Sequence, residues 1–403
     1  MSNDTLPEIR FPEFTDEWEQ RKLGEVFQQT VEYIDPKEVG LELWSVTVEN
    51  GLTPKSERYN REFLVKKNDK FKAIHPDEIV YNPMNMTLGS IGFNNSGKNV
   101  AVSGYYVTMK LNKGFDSKYF AAWLPSPNAI NLYKLYATGS LIERQRVQFP
   151  TLSGIKTLMP ILNEQKQIGL FFKQLDDTIA LHQRKLDLLK ETKKGFLQKM
   201  FPKNGAKVPE IRFPGFTGDW EQRKLGDVLS ERNDQTPETN EYPLMSFVQG
   251  KGVTPKGERY NRSFLVKDSE KKYKKTELGD FIYSSNNLET GSIGFNRTGK
   301  AVISPVYSIF KSKKSRESQF IGIMSARKDF ISKMVRFRQG VVYGQWRIHE
   351  SDFLNIDTKM PNDKEQQLII SFFENIDKTI ALHQRKLDLL KETKKGFLQK
   401  MFV

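Results

Sequence analysis

The 403-residue sequence contains no cysteine, which excludes disulfides and thiolate metal sites. Histidine is nearly as scarce. Of the four copies, His75, His182, His349 and His383, two fall on a helical seam, so a histidine metal cluster or a Ser-His-Asp site lacks members. No apolar run approaches the roughly 18 residues that a membrane-spanning helix needs. The opening residues, MSNDTLPEIR, have neither the basic start nor the apolar stretch of a signal peptide, so a cytoplasmic protein without membrane contact is expected. Acidic side chains are outnumbered, 49 against 63 Lys and Arg, for a net charge of +14 spread along the chain. Together with 28 Phe, 14 Tyr and 5 Trp, that excess suits a folded protein with a polyanion partner; a basic solvated surface is the plain alternative. No helix sets Lys and Arg opposite bulky apolar residues in the manner of a membrane-surface helix.

What the chain does have, it has twice. Thr178–Phe201 (TIALHQRKLDLLKETKKGFLQKMF) returns unchanged as Thr379–Phe402. Pro7–Pro12 (PEIRFP) returns as Pro209–Pro214, and Trp18–Gly24 (WEQRKLG) as Trp220–Gly226. Whole domains are therefore duplicated. The expected order is a first domain over 1–160, a long helix over 161–202, a linker over 203–216, a second domain over 217–360 and a second long helix over 361–403. Pro202-Lys203-Asn204-Gly205-Ala206 breaks the first helix, and the lead-in PEIRFPEF is expected to serve the end of the second helix as residues 207–216 serve the first.

Each long segment carries a heptad seam. In the first copy it runs through Ile168, Phe172, Leu175, Ile179, His182, Leu186, Leu189, Lys193, Phe196 and Met200. In the second it runs through Ile369, Phe373, Ile376, Ile380, His383, Leu387, Leu390, Lys394, Phe397 and Met401. A helix over 163–201 is about 60 Å long, more than a globular core requires. Parallel pairing would set His182 against His383 and Lys193 against Lys394. Antiparallel pairing instead puts each Lys beside an apolar residue near the far end, where its ammonium reaches water. The expectation is an intramolecular antiparallel coiled coil; two amphipathic helices each packed on its own domain are the alternative. A coiled-coil flank bearing Phe171, Leu188, Leu197 and their counterparts is expected to be exposed.

The globular stretches read as α+β domains with an irregular twisted sheet. Strands are expected at Glu78–Tyr81, Val100–Ser103, Tyr105–Lys110, Phe281–Tyr283 and Val306–Lys311, and helices at Lys118–Leu124, Pro127–Tyr136 and Gln319–Val335. The fold class is thus two similar α+β domains separated by a long antiparallel two-helix coiled coil, pseudo-two-fold symmetric. Between shared landmarks the halves disagree: Gly139–Val147 (GSLIERQRV) against Gly340–Ile348 (GVVYGQWRI), and Tyr81–Met86 (YNPMNM) against Tyr283–Leu288 (YSSNNL). A shared scaffold with unlike polar tips is the pattern of two domains that recognise different things.

Two motifs mislead. Gly92–Asn99 (GFNNSGKN) approaches a phosphate-binding P-loop, yet Asn99, and Ala301 in the copy, stand where Ser or Thr should hold magnesium, and a strand follows instead of a helix. A glycine-rich hairpin whose Asn and Lys face a phosphate backbone is the better reading. Asn82-Pro83-Met84-Asn85 lacks the second Pro and the aromatic of the amino-methyltransferase motif, and no glycine-rich loop for S-adenosylmethionine accompanies it. Glu164-Gln165 and Glu365-Gln366, each after a Met-Pro pair, read as favourable charges in the first helical turn.

Basic and aromatic residues cluster more persuasively. Lys55, Arg58, Tyr59 and Arg61, repeated as Lys256, Arg259, Tyr260 and Arg262, suit phosphate contacts, as do Lys98 and Lys300. Base reading needs bidentate groups. The candidates are Asn85, Asn94, Asn95, Arg144, Gln145 and Arg146 in the first domain, and Asn286, Asn287, Asn296, Arg297, Gln345 and Arg347 in the second; turn formation is the competing role of each Asn.

Two variable domains, each followed by a Pro-x-x-x-Glu-Gln helix start (PILNEQKQI at 160–168, PNDKEQQLI at 361–369) and a near-identical long helix, resemble the specificity subunit of type I restriction-modification enzymes. WEQRKLG is similar to that family's W-x-x-x-x-L-G start of a target-recognition domain. The resemblance covers essentially the whole chain. It implies a non-enzymatic subunit whose two domains each read half of a split double-stranded DNA target, with the coiled coil setting the spacer. It further implies partners: two methylation subunits docked on the helices and, through them, restriction subunits, with S-adenosylmethionine, ATP and magnesium bound by those partners and no cofactor or metal by this chain. A protein-interaction scaffold with two ligand-binding domains on a coiled-coil rod is the competing reading.

Overall fold

A computed structural model describes residues 6–55, 70–139, 145–203, 205–248, 251–255, 272–288, 292–341 and 345–403. The chain divides into two compact units, Met1–Arg184 with Arg385–Val403, and Lys185–Gln384. Each unit therefore takes one globular domain, the first half of the long helix that follows it and the second half of the other long helix. No helix among the described residues is long and apolar enough to cross a membrane.

In the first unit a four-stranded antiparallel sheet runs in the order Phe27–Thr30, Val107–Leu111, Ile79–Tyr81, Ile91–Phe93. A three-stranded sheet (Tyr33–Ile34, Phe71–Ile74, Val100–Ser103) and a hairpin (Trp44–Thr47 with Gly51–Pro54) complete the domain with a smaller core of Val46, Leu52, Ile74, Val80, Val100 and Val102. Every residue of Ile79–Tyr81 and Phe71–Ile74 is buried, because both faces are covered; such strands read as apolar runs without alternation. The hairpin comes close at Gly92, where a Cβ would lie 2.5 Å from that of Leu52. The first glycine of the P-loop-like run thus serves packing.

Three helices, Ser117–Trp123, Pro127–Tyr136 and Phe149–Gly154, lie on the main core. Asp116 caps the first by accepting from Tyr119 N at 2.8 Å, and Ser126 caps the second from Ala129 N at 3.2 Å with Pro127 in the opening turn. The strand Glu19–Lys22 pairs antiparallel with Lys156–Met159 and leads straight into the long helix Leu162–Lys199.

The second unit repeats this plan. Its four-stranded sheet runs Leu229–Glu231, Ser308–Ser312, Phe281–Tyr283, Ile293–Phe295, its smaller sheet Gln235–Thr236, Tyr273–Thr276, Ala301–Ile303, and Glu221–Lys224 pairs with Asp357–Met360 before the long helix Asp363–Lys400. The helix expected over Gln319–Val335 is two, Glu317–Met324 and Lys328–Val335. Arg327 breaks it in extended conformation, its guanidinium held by Asp329 and the Pro202 carbonyl.

The long helices run antiparallel in both units. In the first, Phe171 meets Phe397 at 5.0 Å between ring centres, Phe172 stacks on Phe402 at 5.6 Å and Asp176 pairs with Lys394 at 2.6 Å. In the second, Phe372 meets Phe196 at 4.9 Å, Phe373 lies 6.2 Å from Phe201 and Asp377 pairs with Lys193 at 2.5 Å. All the expected seam residues are buried or half-buried. The seam lysines are compensated by Asp176 and Asp377, a more specific arrangement than the apolar neighbour expected from spacing. Phe171 and Leu197, expected on an exposed flank, are half-buried instead: Phe11 meets Phe171 edge-on, and Leu197 packs on the second core. Leu188 and Leu389 do face solvent, 68% and 65% exposed.

The lead-in segments close each unit. Ile9 N donates to Lys400 O, and Ile211 N to Lys199 O, both at 3.0 Å, as the repeat predicts. Met401 and Phe402 enter the first core, Met200 and Phe201 the second. The same segments explain the Glu-Gln pairs. Arg10 grips fully buried Glu164 in a bidentate pair (Nε to Oε1 2.7 Å, Nη2 to Oε2 2.8 Å), and Arg212 grips Glu365 likewise (2.7 Å and 2.7 Å). Gln165 and Gln366 donate to the Pro160 and Pro361 carbonyls at 2.9 and 2.8 Å. Capping was therefore an incomplete account: the Glu is the anchor of the lead-in.

Candidate nucleic-acid interface

In each unit the buried central strand ends in a polar turn, and a second segment is pinned beside it. In the first unit the 3-10 turn Met86–Leu88 follows Ile79–Tyr81; Thr138 and Arg146 exchange backbone hydrogen bonds at 3.0 and 2.9 Å, and Val147 N donates to Pro83 O at 3.0 Å. Asn85, half-buried Gln145 and exposed Arg146 each lie within two residues of that Pro83–Val147 bond. In the second unit the turn Ser285–Asn287 follows Phe281–Tyr283, and the neighbouring segment is a hairpin of Gln339–Val341 with Gln345–Arg347. Ile348 N donates to Ser285 Oγ at 3.0 Å, and Trp346 N to Asn286 Oδ1 at 2.8 Å. The anchoring position is thus kept while the accepting atom changes. Arg347 is exposed, 3.6 Å from Glu350.

A second cluster gathers lysines beside aromatics. Lys98 pairs with Glu42 at 2.7 Å and lies 5.9 Å from the Trp44 ring centre, and Lys55 donates its backbone N–H to Leu43 next door. Lys300 repeats the arrangement with Glu241 at 2.5 Å and Tyr242 at 5.6 Å. The Lys98 ammonium holds the Glu42 carboxyl below its ordinary range, and Glu241 raises the Lys300 ammonium above its own. These pairs are exposed, so a phosphate can replace the carboxylate at small cost.

Three candidates have other work. Asn94 and Asn296 are fully buried. Asn94 Nδ2 donates to the carbonyls of Ile74 and Lys98, and its Oδ1 accepts from Ser96; Asn296 binds Thr276, Thr298 and Gly299 in the same way. Their amides shape the loop and face no groove. Arg297 donates to Asp377 at 2.8 Å and stacks 4.2 Å over Phe295, so it ties the second domain to the long helix. Nor is Gly92–Asn99 a hairpin, because the strands on either side of it belong to different sheets. Asn95 is exposed in that loop. Arg58, Tyr59, Arg61, Arg144, Lys256, Arg259, Tyr260 and Arg262, and the side chains of Asn287 and Gln345, lie outside the described residues.

The comparisons agree with this duplicated design. The family model described as type I restriction modification DNA specificity domain matches residues 15–191 and again 217–392. The chain belongs to that family and carries two such domains, so DNA target recognition is its function. The type I restriction enzyme MjaVIII specificity subunit of Methanocaldococcus jannaschii is 24% identical over 422 residues, covering 97% of this chain and 92% of that protein. A putative MjaX specificity subunit of the same organism is 22% identical over 284 residues, 66% of this chain and 63% of the other. The crystal structure of a type I restriction-modification S subunit from M. genitalium shares the fold, with a TM-score of 0.65 at 12% identity over 99% of each chain.

Proposed function

We propose that each domain reads one half of a bipartite double-stranded DNA target, that the paired long helices set the spacer, and that the helices also dock two methylation subunits, through which restriction subunits join. The observation that carries this reading is the pair of tips: one anchoring scaffold presents Asn85, Gln145 and Arg146 in one unit and Asn286 and Arg347 in the other. Amide and guanidinium groups are the ones that read base edges in the major groove, and Lys55, Lys98 and Lys300 supply phosphate contacts that fix register. Asn94, Asn296 and Arg297 drop out of the interface for the reasons above. The chain itself catalyses nothing in this reading; S-adenosylmethionine, ATP and magnesium bind the partner subunits, and the complex works in the cytoplasm.

The test is a map of methylated adenines in DNA from cells expressing this chain with methylation subunits. The expected result is a split motif that vanishes when the chain is omitted. Exchanging residues 18–158 for another recognition domain should change one half of that motif; a change in both halves would overturn the modular reading.

A further inference from the structure

Trp346 is the exception among five tryptophans. Trp18, Trp123 and Trp220 are buried and Trp44 is half-buried, whereas Trp346 is 49% exposed. Its backbone is fixed from two directions, by the hairpin ladder to Gly340 and by the Asn286 side chain on its N–H. Alternation along the strand puts its ring on the opposite face from the Arg347 side chain. The cross-strand neighbour is a glycine, and the Trp346 ring comes within 3.9 Å of where a Cβ on Gly340 would sit. The position directly across the ladder from the indole is thus bare backbone with no side chain of its own. A rigidly held aromatic surface stands at the tip of the domain, beside an exposed arginine.

The equivalent position in the first unit is Gln145, as the alignment of GSLIERQRV with GVVYGQWRI shows, and Arg146 and Arg347 also correspond. Glutamine can make the bidentate amide pairing that selects adenine; an indole has a single N–H donor and cannot. What it can offer is apolar contact, and the one apolar group on a base edge in the major groove is the thymine methyl.

We propose that Trp346 is a specificity-determining residue of the second domain, its indole packing against a thymine methyl at one position of the second half-site. This rests on the reading that the second domain recognises half of a bipartite target.

The experiment uses the full complex with methylation subunits and its mapped target. Each thymine of the second half-site is replaced in turn by deoxyuridine, which lacks only the methyl, and binding is measured for wild type, Trp346→Phe and Trp346→Gln. One position should weaken wild-type binding about fourfold, the worth of one methyl-sized apolar group, and Trp346→Phe should keep part of that penalty. Trp346→Gln should abolish it and relax or change that base in the methylation motif. The first half-site should be untouched, which also reports that the variant is folded and assembled. The proposal is overturned if no uracil-sensitive position exists in the wild type, or if Trp346→Gln methylates the unchanged motif. Should Trp346→Gln fail to assemble, the deoxyuridine series on wild type and Trp346→Phe decides alone. A wild-type complex with no split motif would instead reject the underlying bipartite reading.

Discussion

Arg212→Ala should open the second unit at its base. The mutation leaves the Glu365 carboxylate fully buried and strips it of both bidentate donors, each at 2.7 Å. Among the described residues the Trp220 indole N–H finds no acceptor, whereas its counterpart Trp18 reaches Glu164 at 3.3 Å. Removing one partner of a buried ion pair costs about 3–5 kcal/mol, and Arg212→Ala belongs in that range while Arg10→Ala belongs nearer its lower end, because Trp18 remains. Amide hydrogen exchange read by mass spectrometry resolves the effect by segment. A loss of about 3 kcal/mol lowers protection roughly 150-fold. That loss should appear in residues 207–231 and 357–370 and be absent from 6–27 and 156–169. Adding Glu365→Gln should restore part of it, since a buried amide costs less than a buried charge. The reasoning is refuted if protection falls less than tenfold, or if it falls equally in the first unit.

Other perturbations probe other parts. Asp377 receives both Lys193 and Arg297, so Asp377→Asn should lower the melting temperature of the full chain more than Asp176→Asn, which releases only the more exposed Lys394 pair; equal shifts would dissolve the distinction. His75 donates from Nε2 to Glu32 Oε2 at 2.7 Å and from Nδ1 to Asn99 Oδ1 at 3.2 Å, and the hydrogen bond to the Glu32 carboxylate raises its pKa. A raised folded pKa gives stability that is complete below the unfolded value near ~6.5 and lost as pH rises through the folded one. Exchange protection around Phe71–Ile74 should therefore fall slightly, by under about 1 kcal/mol for so exposed a pair, and Glu32→Gln should flatten the profile. One heptad inserted into both long helices at matched positions adds about 10 Å, so the unspecified spacer of the target should grow by roughly three base pairs with both half-sites intact. An unchanged spacer would refute the helices as ruler.

The periodic features were legible and the long-range polar ones were not. The heptad seam located both long helices to within three residues at each end, and the lysine positions argued for the antiparallel pairing. Strands such as Val100–Ser103 and the helix Pro127–Tyr136 were also expected where they stand. The role of Glu164 did not, because its partner Arg10 lies 154 residues away and nothing local announces a bidentate grip. Asn94 and Asn296 look like base readers by residue type, and only the closed loop around each shows its amide already committed. Trp346 carried a signal that residue-type reasoning passed over: opposite a glycine and next to Arg347, it differs from Gln145 at the corresponding position of the other copy.

Synthesis on a ribosome proceeds from the N-terminal side to the C-terminal side, and the shared helices make that order matter. The second unit, Lys185–Gln384, is available as one uninterrupted stretch, and it can close as soon as that stretch has emerged. The first unit emerges earlier but lacks Met401 and Phe402, which fill its core, until the second long helix has been made. In the interval Ile168 and Phe172 wait uncovered. The segment that will cover them is identical to one already made, Thr178–Phe201, in the same or a neighbouring nascent chain. The domain made first is therefore the last to finish, and nothing in the side chains of the repeat itself distinguishes its rightful closing piece from the duplicate.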